Sequence, residues 1–166
     1  MEYLELIEAL SRHIHAEQPL ETDPEGVLRL EIGGCYVSFY NIEELQTLLV
    51  TAAIAEIQEN GCEALKNELL KANFAGGVTG DSVFSLSSDC GVIYFHHKYR
   101  IADMDFEDFI DQFTTFLQKS LDWRKLIETY ASVAEKQPEQ TSLDDSLEKN
   151  FKANFKNDID MGFFRA

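Results

Sequence analysis

Apolar residues Tyr3, Leu6, Ile7, Leu10 and Ile14 recur every three or four positions, which gathers them on one side of a helix that ends before Pro19. The sequence DPEG at residues 23–26 favours a turn, and beyond it Leu28, Leu30 and Ile32 alternate with Val27, Arg29 and Glu31, the pattern of a strand with one buried face. Gly33 and Gly34 supply a two-residue loop tolerant of positive φ, so residues 35–40 are predicted to return as the second strand of a hairpin. From 45 to 57 the run LQTLLVTAAIAEI is rich in β-branched residues, although its alanines also permit helix; a strand is predicted over Thr47 to Ile54.

A second helix opens at Asn60 or Gly61, carries Leu65, Leu69, Leu70 and Ala72 near one side, and stops at Gly76 and Gly77. Two alternating segments, 81–87 and 91–99, flank the turn sequence SDCG and predict a second hairpin. A third helix begins at Asp103 or Asp105, either of which can cap it, and runs to about Ser132. Its stripe is Phe106, Phe109, Ile110, Phe113, Phe116, Leu117 and Leu121, whereas Trp123, Ile127 and Tyr130 rotate away from that stripe toward other packing. Beyond Gln137 the composition turns to Gln, Pro, Ser, Asp, Asn and Lys, which predicts a mobile tail with a short helix over 143–155.

The element order is α-β-β-β-α-β-β-α. Runs of strands between helices, without regular strand–helix alternation, indicate an α+β fold, a two-layer sandwich of helices on an antiparallel sheet. At 166 residues the chain suits one domain, assigned to 1–132, with 133–166 as an acidic and polar C-terminal tail.

Composition removes several function classes. A net charge of -16, from 30 acidic and 14 basic residues, repels a phosphate backbone and an anionic membrane alike, so neither nucleic acid nor lipid is an expected partner. No apolar run approaches the roughly 20 residues that span a bilayer, and the first residues, MEYLELIEALSRHIHAEQ, lack the basic start and unbroken apolar stretch of a secretory signal. A cytosolic protein is expected. Cys35, Cys62 and Cys90 are odd in number and scattered, which suits reduced thiols, the first two as small apolar fillers and Cys90 in a turn.

Chemistry-bearing patterns are weak. His13 and His15 diverge on a helix, and His96 and His97 point to opposite faces of a strand, so neither pair chelates locally. The glycines of AGGVTGDS lack the Lys of a phosphate loop, Asp81 following Gly80 in its place, and the acidic pairs lack calcium-loop spacing. No catalytic residue, no metal site and no cofactor is assigned. A small enzyme would need convergent polar groups in one cleft, which these scattered residues do not suggest.

The stretch LLKANFAGGVTGDSVFSLSSDCGVIYFHHKY, with Leu69, Leu70, Ala72, Asn73, Gly80, Phe84, Leu86, Gly91, Ile93 and Phe95, resembles the class I chaperones of bacterial type III secretion, the family of the Tir chaperone and the Yersinia Yop chaperones. The later IADMDFEDFIDQFTTFLQKSLDWRKLI, with Trp123, is similar to that family's closing helix. The resemblance covers about Tyr3 to Tyr130; HHKYRI at 96–101 and the long tail depart from it. It implies a homodimer in the bacterial cytoplasm that wraps an extended N-terminal segment of a secreted effector or translocator, keeping it soluble and secretion-competent without nucleotide. The secretion apparatus is a further candidate partner. An acidic adaptor of the same fold outside secretion is the alternative.

Two sets of site residues follow. Leu65, Leu69 and Phe74 on the second helix are assigned to the dimer interface. Ile14, Tyr36, Tyr40 and Leu49 are assigned to client binding, because apolar side chains on a sheet's outer face need covering. The terminal Phe163 and Phe164 are read as a docking or partner motif.

Overall fold

The computed structural model describes residues 1–57, 63–76, 79–88 and 91–134. Its helices are α1 (Tyr3–His13), α2 (Glu63–Ala72) and α3 (Phe106–Ala134), and its strands are β1 (Leu28–Ile32), β2 (Cys35–Ile42), β3 (Thr47–Glu56), β4 (Val83–Leu86) and β5 (Val92–Tyr99). The α+β order expected from the periodicities is the order found. The chain divides into two units, Met1–Thr129 and Tyr130–Ala166, and of the second only residues 130–134 are described, as the last residues of α3. The tail, the short helix expected over 143–155, Phe163, Phe164, Cys62 and Cys90 lie outside the described residues.

All strand pairs are antiparallel, in the order β1-β2-β3-β5-β4. The first hairpin turns on Gly33 and Gly34, both at positive φ (60° and 79°), which seats Ile32 opposite Cys35 and thereby fixes the register of β1 on β2. Asp23 holds the approach to β1, its carboxylate accepting the N–H groups of Glu25 and Val27 and pairing with Arg29. The run 47–56 is strand because it is paired on both sides, by β2 and β5, so tertiary pairing overrides what its alanines allow. The register shifts between Ala53 and Ala55, and Ile54 between them is buried, in step with Leu48, Val50 and Ala52.

The core lies between one face of this sheet and α3. Phe39 meets Phe113 at 5.3 Å, Phe95 stacks on Phe116 at 5.6 Å, and Tyr99 stands edge-on to Phe109 at 5.2 Å. Asp105 caps α3 through the N–H of Asp108. The expectation that Trp123 and Ile127 leave the stripe is corrected: both are buried, and Trp123 stands edge-on to Phe84 of β4 at 4.8 Å. Phe109, Phe113, Phe116, Ser120, Trp123 and Ile127 are all buried and follow one another at four- and three-residue spacing, so they form one continuous line along α3. From α1, Leu6, Ile7 and Leu10 are buried, and the Tyr3 hydroxyl sits 3.0 Å from the Phe39 carbonyl while accepting the Leu28 N–H. Burial pushes that phenol's pKa up.

Candidate functional site

Since side chains alternate across a strand, the registers that place Val37, Phe39, Val50, Ala52 and Phe95 under α3 also place a second set on the opposite face. Three rows cross that face. The first is Glu31, Tyr36, Ala53, Tyr94 and Ser85; the second is Arg29, Ser38, Thr51, His96 and Val83; the third is Tyr40, Leu49 and Lys98. Tyr36 is 67% exposed and Val83 40%, while Tyr40, Leu49, Tyr94 and His96 are half-buried by their neighbours. On this face Tyr36, Tyr40, Leu49, Tyr94 and Val83 are interleaved with Arg29, Glu31, Lys98 and small polar side chains.

Tyr36, Tyr40 and Leu49 therefore share one surface, with Tyr40 directly opposite Leu49. Ile14 is not among those rows. It caps the C-terminus of α1, 49% exposed, next to His13, whose ring meets Phe106 of α3 at 5.7 Å. Tyr94, His96 and Val83 were not assigned to client binding from the sequence, yet the parity of the second hairpin carried the signal once β5 is set beside β3.

Helix α2 divides the residues assigned to a dimer contact. Leu65 and Leu69 are buried in the protomer, whereas Phe74, just past the helix, is 82% exposed, and so is Leu70 at 67%. Between α2 and β4 runs a groove lined by Leu69, Leu70, Asn73, Phe84 and Leu86.

One polar constellation bears on catalysis. The Ser82 hydroxyl lies 3.0 Å from His97 Nδ1, with Asp81 adjacent in sequence. Ser82 is itself buried, and the pair ties the start of β4 to β5. Among the described residues no three His, Cys, Asp or Glu side chains are grouped to hold a metal, and no helix is long and apolar enough to cross a membrane. Cys35 is a buried free thiol.

The histidines have a measurable consequence. Burial holds His97 below the ordinary imidazole value, with Lys119 acting the same way and Asp81 partly opposing; burial and then Lys98 lower His96. An unfolded chain takes up these protons as pH falls through about 6.5, while the folded chain resists, so stability is full above that value and declines below it. The melting temperature is expected to fall between pH 7.5 and 5.5, and the fall should shrink in His97→Gln. A melting temperature flat across this range contradicts the assignment.

Residues 5–124 match the model of the Tir chaperone protein (CesT) family. Among solved structures, the ExsC-ExsE complex aligns with a TM-score of 0.65 at 21% identity, covering 74% of this chain and 90% of that one. The HopA1-SchA chaperone-effector complex aligns at 0.57 and 16%, covering 74% and 93%. The Yersinia pestis type III secretion chaperone SycH, in complex with a YscM2 fragment, aligns at 0.55 and 16%, covering 73% and 98%. These likenesses are of fold. No curated protein matches by sequence.

Proposed function

Because the chain belongs to the Tir chaperone protein (CesT) family, we propose that it is a non-enzymatic chaperone of the bacterial cytoplasm that binds an extended N-terminal segment of a type III secreted effector or translocator. It keeps that segment soluble and competent for export, without nucleotide. The single observation that carries this reading is the uncovered sheet face of Tyr36, Tyr40, Leu49, Tyr94 and Val83. An extended chain can lay alternate apolar side chains across such rows and order itself on binding. Solved complexes of the same fold with an effector, such as HopA1-SchA, support the choice of partner. The net charge of -16 favours a basic client by steering its approach.

The working unit is a homodimer joined through the outer side of α2, where Leu70 and Phe74 stand exposed, and the secretion apparatus is its further partner. The test is genetic and direct. Deleting the gene should remove one secreted protein from the culture supernatant and shorten that protein's lifetime inside the cell, leaving the rest of the secreted set intact. Export of every effector at its normal level in the deletion strain overturns the reading.

A further inference from the structure

Asn73 directly follows α2, and its side-chain amide engages the main chain of Phe84 in both directions. Its Nδ2 donates to the Phe84 carbonyl at 3.1 Å, and its Oδ1 accepts the Phe84 N–H at 2.8 Å. The ladder shows which way those groups point. Ser87 donates its N–H to the Val92 carbonyl at 2.9 Å, so with the register Val83–His96, Phe84–Phe95, Ser85–Tyr94 and Leu86–Ile93, the bonded pairs are those of Val83, Ser85 and Ser87. Phe84 and Leu86 accordingly turn their N–H and C=O away from β5. Since β4 is an outer strand of the sheet, Asn73 presents there the one donor and one acceptor that a neighbouring strand residue would supply.

The opposite edge is built differently. The two-residue Gly33-Gly34 loop makes Ile32 and Cys35 a bonded pair, so Leu28, Leu30 and Ile32 face β2 and the main chain of Arg29 and Glu31 faces outward. Both residues are exposed. We propose that Asn73 is a positioning residue that closes the β4 edge to strand addition, and so reserves β1 as the edge at which an extended segment joins the sheet. Closure of β4 stands on the hydrogen-bond geometry alone; the use of β1 by a client rests on the chaperone reading above.

The test is made on the full chain. In Asn73→Ala, amide exchange at Phe84 should quicken several-fold in dilute solution, and at high concentration β4 should pair with β4 of a second copy, restoring protection and raising the mass above that of the wild type. Ile127→Ala, which loosens the core on α3 and leaves Asn73 in place, should lose stability without that rise in mass. If Asn73→Ala does not fold, Asn73→Asp, which keeps the acceptor and drops the donor, is read by the same criteria. Unchanged exchange and mass in the variant, or the same self-association in Ile127→Ala, overturns the closure of β4. For β1, Arg29→Pro removes an outward N–H and should abolish export of the client identified by gene deletion. Normal export with Arg29→Pro overturns the reservation of β1 and leaves the chaperone reading standing, whereas normal export in the deletion strain removes the chaperone reading and leaves the closure of β4 to the exchange data.

Discussion

Replacing Tyr40 and Leu49 together by serine is expected to weaken client binding by at least ~100-fold, measured by titration calorimetry with the segment that the export experiment identifies. The two side chains stand directly opposite each other on β2 and β3, the spacing at which cross-strand pairs form one continuous contact. Central apolar contacts of an interface typically cost about 2 kcal/mol or more each when truncated, and two such losses amount to the stated change even when they are not fully additive. The fold should tolerate the change, because both residues face away from the aromatic core that joins the sheet to α3. A drop in melting temperature of a few degrees is expected from the half-buried area removed. Leu4→Ser, on the exposed side of α1 at 68% exposure, serves as the comparison and should bind normally. An affinity for the double variant within threefold of the wild type would show that the client lies elsewhere.

Much of this surface was legible from the sequence because a strand has period two. Once 35–40 and 47–54 are read as strands, Tyr36 and Tyr40 must share a face, and Leu49 joins it through the register. Sequence alone does not say which face a helix will cover, since LQTLLVTAAIAEI carries apolar residues on both faces of the strand. Helix α2 shows the same limit in another form. Leu65, Leu69 and Leu70 fall within about a turn and a half, so periodicity groups them, while the packing buries the first two and leaves Leu70 exposed. Trp123 and Ile127 were read as rotating away from the stripe, whereas they continue the four- and three-residue spacing of Phe109, Phe113 and Phe116 and are buried with them. Asn73 was legible as part of a family-like motif and illegible as physics, because its partner is 11 residues away on a different element. The Ser82–His97 contact is of the same kind, set by the pairing of Val83 with His96.

Leu70→Asp combined with Phe74→Asp is expected to convert the proposed dimer into a monomer, with the mass from light scattering halved at micromolar concentration. Leu70 lies on α2 and Phe74 just past its end, and they are 67% and 82% exposed. Leaving two large apolar groups in water forgoes about 1.5–3 kcal/mol apiece that a partner's surface would recover. A carboxylate at either position must instead be desolvated without a counter-charge, so the pair of substitutions weakens association by about 5 kcal/mol, or ~1,000- to 10,000-fold. Long-range charge opposes assembly throughout, since each chain carries -16; screening shortens that repulsion to about 8 Å at physiological ionic strength. Dimerisation of the wild type should therefore strengthen with added salt, the signature of an apolar contact formed against like charge. Leu65→Ala and Leu69→Ala should behave differently, because both side chains already lie inside their own protomer at 7% and 4% exposure. They should lower the melting temperature and leave the mass of the folded protein unchanged, with a cost of about 2–5 kcal/mol for each cavity. A wild-type protein that scatters as a monomer at every concentration, in low salt and in high, would remove the dimer and leave Leu70 and Phe74 as the surface of a single chain.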